Sequence, residues 1–242
     1  RAAEFAVNHP VNHRRPGQII PAKPEAGFDE FIRVAADNWT FEGARTGKPF
    51  IPLGTNLVFP FSYKDGKPVK VGAGMWKEEQ FDLARLEQAF KMMRELNVNV
   101  AKIALTGKAF MPGVTGVENF KIDPGALKRF EQVLALANKY QVRLWVAAPN
   151  HWDGWPSPWW DDEVGETPQM LPVLVKFWEE FAPRYRNETA IFGYSLCIEK
   201  GVVVPHLSGT WNKHYRPKFV TFLKRKYGGL GALNTSWQAD HK

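Results

Sequence analysis

Short apolar runs alternate along the chain with longer segments in which apolar residues recur three and four positions apart. The runs have the length of buried strands, and the longer segments have the spacing of amphipathic helices. The predicted strands are residues 48–57, 97–105, 142–149 and 191–199. The predicted helices are residues 78–96, 123–140, 168–186, 216–227 and 230–237. Because the core strands are apolar on both faces, the pattern indicates a parallel sheet covered by helices.

The N-terminal region has a different pattern. Residues 1–29 carry four prolines without periodicity, which predicts an extended arm outside the main domain of residues 30–242. Residues 31–42 alternate loosely, and a glycine-containing turn at 43–47 separates them from the run at 48–57. This predicts a β-hairpin that leads into the first core strand, which ends near residues 54–56.

Two α/β architectures fit four strand–helix units, a doubly wound sheet and a (β/α)8 barrel. The first core strand is followed by GTNLVFPF and not by the glycine pattern of a dinucleotide-binding fold. The loops from strand to helix are long and aromatic, and barrel enzymes build their sites from such loops. We therefore predict an α/β fold that consists of the first four strand–helix units of a (β/α)8 TIM barrel, preceded by the β-hairpin.

Composition excludes several classes of function. The single cysteine, Cys197, rules out an intrachain disulfide framework and a multi-cysteine zinc site. The net charge is +7, but the basic residues are dispersed, which favours a solvated surface over nucleic-acid binding. No apolar run reaches 18 residues, so we expect no membrane-spanning helix. The acids at 161–163 fit a solvated turn better than a metal site, and no metal or other cofactor is expected.

Polar residues gather where the predicted strands end. Glu199 is the last residue of the apolar run at 191–199, where an unpaired charge is costly to bury. The other candidates at or just after strand ends are Asn56, Lys102, Asn150, His151, Trp152, Trp155 and Trp159. A carboxylic acid beside a histidine and indole rings suits glycosidic chemistry, because a general acid needs a partly desolvated carboxyl.

Structural explanations for the same residues stay open at this point. Glu199 could be an ion-paired acid that serves only the fold, and Lys102 could be its partner. His151 could make structural hydrogen bonds within its loop. The tryptophans could form a satellite core beneath the loop at 150–166, and at least two of the four there are expected to pack in this way.

In these segments the chain resembles the retaining glycoside hydrolases of the large (β/α)8 clan, nearest to the cellulase and mannanase type of family five. The matching segments are FIRVAADNWTFEGARTGKPFIPLGTNL, NVNVAKIAL, LWVAAPNHWDGW, NETAIFGYSLCIE and KRKYGGLGALNTSW. The resemblance implies that Glu199 is the acid/base and that His151 is the third-strand histidine. Lys102 stands where the family usually carries Arg, and Ile198 stands where it carries Asn.

The resemblance implies a secreted enzyme, extracellular or periplasmic, that cleaves β-glycosidic bonds of a polysaccharide or oligosaccharide. Asn150 and His151 would position the substrate or Glu199, and Trp152, Trp155 and Trp159 would be sugar platforms. The family's nucleophile ends the seventh strand, so it would lie outside this chain, in a C-terminal half of the barrel that acts as partner. The chain by itself is then expected to be inactive. The alternative is a non-catalytic carbohydrate-binding or structural barrel that has lost activity.

Overall fold

The computed structural model describes residues 27–57, 61–64, 67–70, 74–150, 160–161, 165–166, 170–196 and 216–240. The strands in these ranges are β1 (Ile32–Val34), β2 (Phe41–Gly43), β3 (Pro49–Phe50), β4 (Gly54–Asn56), β5 (Phe61–Lys64), β6 (Lys67–Lys70), β7 (Val100–Thr106), β8 (Arg143–Asn150), β9 (Trp160–Asp161), β10 (Gly165–Glu166) and β11 (Ile191–Ser195). The helices are α1 (Leu83–Glu95), α2 (Gly107–Phe110), α3 (Pro124–Tyr140), α4 (Met170–Arg184), α5 (Arg216–Tyr227) and α6 (Leu230–Trp237). Single 3-10 turns lie at Gly74–Trp76, Glu78–Gln80 and Val117–Asn119.

A parallel sheet of four strands is the centre of the fold. Its order is β11-β8-β7-β4, and each neighbouring pair is parallel. Sequential strands therefore lie side by side, with α1, α3 and α4 in the connections between them. This is the connectivity of consecutive strand–helix units in a (β/α)8 barrel, and it confirms the predicted fold.

One face of the sheet is buried beneath the helices. Ala101, Ile103 and Leu105 of β7 alternate along that strand and are all fully buried. Leu144 and Val146 of β8 do the same. These side chains join one core cluster with the apolar residues of α1, α3 and α4. The intervening residues of both strands must lie on the opposite face, because side chains alternate along a strand.

Aromatic rings form the centre of this core. Phe130 of α3 packs edge-on against Phe181 of α4 with ring centroids 5.1 Å apart and against Tyr185 at 4.9 Å. Phe177 stacks on Phe181 at 5.0 Å, and Phe110 of α2 meets both rings at 6.2 Å. Such ring pairs each add about 0.5–1.5 kcal/mol beyond the area they bury. The aromatic cluster therefore ties α2, α3 and α4 together over the sheet.

Helix starts follow the capping chemistry of the sequence. The Asp123 carboxylate accepts a hydrogen bond from Ala126 N at 2.7 Å, and Pro124 opens α3, as predicted. Helix α1 begins at Leu83 and not at residue 78, so the predicted start was wrong. The reason is that Phe81 is extended and Asp82 caps the helix by accepting from Arg85 N at 2.9 Å. The predicted cap at Thr167-Pro168 lies outside the described residues.

The N-terminal sheet has three short antiparallel strands in the order β1-β2-β3. The hairpin is confirmed, but the segment 31–42 is not one strand, because it folds back on itself. The Asp37 carboxylate accepts hydrogen bonds from Trp39 N and Thr40 N, which closes the turn between β1 and β2. The turn at residues 44–48, close to the predicted 43–47, separates β2 from β3. The prediction of one strand at 48–57 was wrong, because it is divided into β3 and β4 of two different sheets, with Pro52, which has no N–H to donate, between them.

Arg143 fastens this small sheet to the amino-terminal end of the parallel sheet. Its guanidinium carbon lies 3.9 Å from the centroid of the Phe28 ring, and it donates hydrogen bonds to the carbonyls of Thr189 and Glu30. Phe192 of β11 packs against Phe41 at 5.1 Å. Residues 27–29 of the predicted arm therefore belong to the folded part, and the rest of the arm lies outside the described residues.

The other helices show two further features. Helices α5 and α6 agree with their predicted bounds, and they contact each other through the hydrogen bond that Trp237 Nε1 donates to the Tyr227 hydroxyl at 3.0 Å. Among the helices described, none is long and apolar enough to cross a membrane.

The stability of the N-terminal sheet is expected to fall in acid because of Glu30. Its carboxylate accepts from Thr46 N, Thr46 Oγ1 and Arg45 N, and these bonds lower its pKa from 4.5 to about 2. A lowered pKa contributes stability that is present above 4.5 and is lost as the pH falls toward 2. In urea denaturation, Glu30→Gln should therefore be less stable than wild type at pH 6, and the gap should shrink toward pH 2.5.

The matched control is Glu79→Gln, at an exposed position in the second 3-10 turn. It should match the wild type across the same pH range. A gap between wild type and Glu30→Gln that stays constant from pH 6 to pH 2.5 would contradict the assignment.

Candidate active site at the carboxyl edge of the parallel sheet

The carboxyl ends of the four parallel strands meet at one edge of the sheet. Ligands of parallel α/β folds bind at this edge. A cross-strand row aligns Asn56, the last residue of β4, with Lys102 and Lys102 with Trp145, and Trp145 in turn with Gly193. Lys102 and Trp145 are the third residues of β7 and β8, so in these strands the row lies short of the carboxyl edge. Two of the predicted site residues, Asn56 and Lys102, are thus direct neighbours on adjacent strands.

Lys102 and Trp145 form a contact on the face of the sheet that the helices leave uncovered. The Lys102 ammonium lies 5.4 Å from the centroid of the Trp145 ring. Lys102 is half-buried, and Trp145 is 41% exposed although it lies in a central strand. A cation at this distance from an indole face is stabilised by about 0.5–1 kcal/mol. The contact holds the ammonium on the open face.

Trp145 was not included among the predicted site residues, although the alternation of side chains along β8 could have identified it. Alternation along β8 places Arg143, Trp145 and Ala147 on the face opposite Leu144 and Val146. Because the whole run was interpreted as a doubly buried strand, the large ring on the open face was assigned to the core.

A β-bulge reshapes β8 just before the loop that carries His151. Ala104 pairs with Ala147, but Thr106 pairs with Asn150, so two steps on β7 face three steps on β8. Bulges bend a strand and re-aim its side chains, and they are frequent beside active sites. The backbone at the end of β8, where the predicted site residue Asn150 lies, therefore departs from the course of a regular strand.

Trp76 closes the helix side of the sheet at this bulge. Its indole Nε1 donates a 2.7 Å hydrogen bond to the carbonyl of Ala104, the residue at which the register shifts. The side chain is fully buried and packs edge-on against Phe110 at 5.3 Å. The bond gives the part-buried Ala104 carbonyl a donor beside the irregular pairing, so Trp76 belongs to the core that supports the site.

Thr106, the last residue of β7, brings a buried hydroxyl to the same edge. Its side chain is fully buried, and its Oγ1 has no hydrogen-bond partner among the described residues. A buried hydroxyl without a partner costs about 1–3 kcal/mol.

The strand that leads to Glu199 is fixed by α4. Tyr194 packs edge-on against Trp178 with ring centroids 5.3 Å apart, and burial raises the pKa of the Tyr194 phenol to about 12. Trp178 Nε1 donates to the carbonyl of Leu196 at 3.4 Å. These contacts hold the chain up to three residues before Glu199.

The remaining predicted residues stay predictions. Asn150 ends β8, and its side chain is not among those described. His151, Trp152, Trp155, Trp159 and Glu199 lie outside the described residues. The described part of the chain contains no group of three or more histidine, cysteine, aspartate or glutamate side chains placed to bind a metal ion.

Comparison with known proteins finds similarity in structure alone. No protein-family model and no curated protein matches the sequence. An exo-β-1,4-mannosidase, Op5Man5, from Opitutaceae bacterium strain TAV5 is similar with a TM-score of 0.52 and 18% identity over 81% of this chain and 32% of its own. A family 5 glycoside hydrolase from Bacteroides vulgatus gives a TM-score of 0.47 and 13% identity over 78% of this chain and 38% of its own.

The chain therefore spans about a third of the length of the solved enzymes it resembles. The similarity to the Opitutaceae enzyme shows a shared fold. It agrees with the strand order of the parallel sheet, and it places the chain among structures whose complete form is a (β/α)8 barrel.

Replacing Trp76 by phenylalanine should destabilise the chain, because the part-buried Ala104 carbonyl would lose the indole N–H as donor. The expected loss is about 1–3 kcal/mol from the unsatisfied carbonyl, with a further contribution from the smaller ring. Chemical denaturation followed by circular dichroism measures it. Trp237→Phe is the matched control, because its indole N–H bonds to Tyr227 on the surface. If both variants lose the same stability, the Trp76 bond has no special importance.

Proposed function

We propose that this chain forms the N-terminal part of a glycoside hydrolase that cleaves β-glycosidic bonds of a polysaccharide or oligosaccharide. The observation that carries the proposal is the four-stranded parallel sheet with barrel connectivity, whose uncovered face presents Lys102 and Trp145 in one row with Asn56. Support comes from the fold shared with a solved mannosidase and from the position of Glu199 just beyond β11.

In the proposed reaction Glu199 is the general acid and then the general base. Its protonated carboxyl gives a proton to the glycosidic oxygen as the bond to the anomeric carbon breaks. After the leaving group departs, the carboxylate takes a proton from the water that attacks the same carbon. Proton transfer of this kind contributes about 10²–10⁴-fold to the rate.

The mechanism is proposed to retain the anomeric configuration. A second carboxylate, outside this chain, would attack the anomeric carbon and form a covalent glycosyl intermediate, which requires the two carboxyls to be about 5–5.5 Å apart. Asn150 and His151 would position the substrate or Glu199. Trp152, Trp155 and Trp159 would supply flat apolar surfaces for sugar rings.

The open face and edges of the sheet support a partner made of further barrel strands. All-parallel sheets are ordinarily covered on both faces, yet Trp145 is 41% exposed and every residue of β4 is exposed. β4 and β11 are the edges of the sheet and have one strand neighbour each. We propose that the C-terminal half of the barrel pairs with these edges and encloses the row of Asn56, Lys102 and Trp145.

A polymeric sugar substrate favours an enzyme that works outside the cytoplasm. We propose an extracellular or periplasmic location on that basis.

A non-catalytic carbohydrate-binding or structural barrel is the second candidate. It is favoured by Lys102, which lies over Trp145 at a position where the resembled family carries Arg, and by Ile198 in place of Asn. In this case the fold and the sugar surfaces would remain and hydrolysis would be absent.

Glu199→Gln in the full-length protein distinguishes acid/base catalysis from the alternative. Because the amide cannot protonate the leaving oxygen, turnover of an unactivated β-glycan should fall about 10²–10⁴-fold. In an aryl glycoside of a strongly acidic phenol, the phenolate can leave without that proton. The bond-cleavage step of this substrate should therefore be slowed much less. On the aryl glycoside, the initial burst of phenol measures the bond-cleavage step. The steady-state rate measures overall turnover on both substrates.

Asp153→Asn is the matched control, since Asp153 is an acid that follows the end of β8 in the sequence. Equal slowing of the bond-cleavage step on the two substrates, or unchanged turnover of the glycan by Glu199→Gln, would contradict the assignment. If the wild type binds glycan but cleaves neither substrate, the non-catalytic candidate is correct.

Two substitutions that keep or remove the positive charge test the role of Lys102. Lys102→Arg keeps a cation over Trp145 and should keep most of the activity of the full-length protein. Lys102→Met keeps the length of the side chain and removes its charge, and kcat should fall by at least about tenfold if the ammonium acts on the reacting groups. Equal kcat values in the two variants would show that Lys102 only packs against Trp145.

A further inference from the structure

Thr106, the last residue of β7, carries a buried hydroxyl to which no described residue bonds. The residue is fully buried, and its Oγ1 has no hydrogen-bond partner in the described part of the chain. Thr106 also occupies the N-cap position of α2, where a threonine usually accepts a bond from the helix backbone, but its side chain makes no such bond. The large majority of buried polar side-chain atoms in native proteins have a partner, so this hydroxyl requires an explanation.

The other buried polar atoms without a partner among the described residues differ from Thr106 in position. They belong to Gln80, Arg129, Arg143, Tyr185 and Tyr194. Arg143 lies at the amino-terminal end of the sheet, and both tyrosines pack against rings on the helix side. Arg129 lies in α3, and Gln80 lies in the second 3-10 turn. Of these residues, Thr106 is the one that ends a strand at the edge where ligands of parallel α/β folds bind.

The bulge in β8 brings Asn150 to the position opposite Thr106. Thr106 lies four residues after Lys102 on β7, so alternation assigns it to the face that carries Lys102. Trp145 of β8 belongs to the same face, and a regular strand would place Asn150, five residues later, on the other one. Because the bulge adds one residue to β8, Asn150 pairs with Thr106. The irregular pairing therefore makes these two residues neighbours at the edge.

A threonine and an asparagine at paired positions can share a hydrogen bond. Neighbouring strands lie about 4.7–4.9 Å apart, and side chains at paired positions meet on one face. The carboxamide of an asparagine has both an acceptor and two donor hydrogens, and a hydroxyl can take either role. Asn150 can therefore accept from Thr106 through Oδ1 and still donate to a ligand through Nδ2.

We propose that Thr106 is a positioning residue that holds the Asn150 side chain when a glycan is bound. In the complex, the Thr106 hydroxyl donates to Asn150 Oδ1, and Asn150 Nδ2 donates to a hydroxyl of the sugar. A bond that forms in the complex and is absent in the free chain favours the bound state, so it contributes to affinity. The choice of a β-linked glycan and the role of Asn150 rest on the proposed function.

This role predicts opposite effects of one substitution on stability and on binding. Thr106→Val replaces the hydroxyl by a methyl group of similar size. Because the hydroxyl is unpaired in the free chain, its removal should leave the urea midpoint unchanged or raise it. Glycan binding should become weaker, because Asn150 loses its donor. A hydroxyl with only a structural role predicts the reverse, a lower midpoint and unchanged binding.

Affinity electrophoresis measures the binding. The full-length protein carrying Glu199→Gln, which leaves the polymer intact, is run through gels with and without soluble mixed-linkage β-glucan or glucomannan. Thr106→Val should weaken the retardation about fivefold, as expected for one hydrogen bond. Thr106→Ser keeps the hydroxyl and should stay within about twofold of the parent. If the valine variant folds poorly, Thr106→Ala gives the same comparison of binding.

Asn150→Ala tests whether Thr106 acts through Asn150. Without the carboxamide, the addition of Thr106→Val should cause no further loss of binding. Thr55→Val, at an exposed position of β4, is the matched control and should bind like the parent.

Four results would overturn the proposal. They are undiminished retardation in Thr106→Val, a full further loss in the double variant, an equal loss in Thr55→Val, and no retardation of the parent. Hydrolysis by the protein with Glu199 intact is scored separately. If hydrolysis is absent while the coupling of Thr106 with Asn150 persists, the proposed function fails and the positioning role stands.

Discussion

The requirement that a parallel sheet be covered by apolar side chains governs this structure. On one face the condition is met by the aromatic cluster, in which Phe110, Phe130, Phe177 and Phe181 join three helices over β7 and β8. The burial of each ring depends on the others, because the rings contact in pairs across different helices. Removing one ring would leave a cavity that costs about 3–5 kcal/mol.

The other face of the same sheet is where the chemistry is proposed. In the described residues this face is exposed at Trp145, whereas Arg143 and Ala147 on the same face are buried. It presents a cation, an indole and an amide in one cross-strand row. The two faces are linked at the end of β7, where Trp76 bonds the Ala104 carbonyl on the helix side of the bulge. The packing of the core thus supports the irregular end of β8. At the amino-terminal end of the sheet, Arg143 of β8 packs on Phe28, and the hairpin contacts β11 through Phe41 and Phe192.

The fold was predictable because its signals are periodic. The four-unit parallel order was predictable from the spacing of apolar residues in strands and helices and from the helix start at Asp123-Pro124. The missing glycine pattern after β4 argued against a dinucleotide-binding fold. The start of α1 was not predictable, because an extended Phe81 and a cap at Asp82 interrupt a continuous apolar pattern. The turn at Asp37 was missed for a similar reason, since one side chain that accepts three hydrogen bonds leaves little trace in the apolar pattern.

The candidate site was less predictable. Asn56 ends β4 as predicted, and it is the neighbour of Lys102 across the strands. Lys102 itself is not at a strand end, because β7 begins at Val100 and continues to Thr106. Trp145 was missed because a large apolar residue in a strand is usually core, and only the position of the helices shows that its face is open. The bulge in β8 depends on pairing between residues 43 and 44 positions apart, which the sequence alone does not reveal.

The stereochemistry of hydrolysis tests the central claim most directly. Proton NMR of the full-length protein acting on an aryl β-glycoside shows which anomer forms first, before the sugar mutarotates. The account predicts that the β-anomer appears first, because a carboxylate displaces the leaving group and water then displaces the carboxylate. Initial formation of the α-anomer would contradict it, since direct attack by water needs carboxyls about 6.5–9.5 Å apart and a different site.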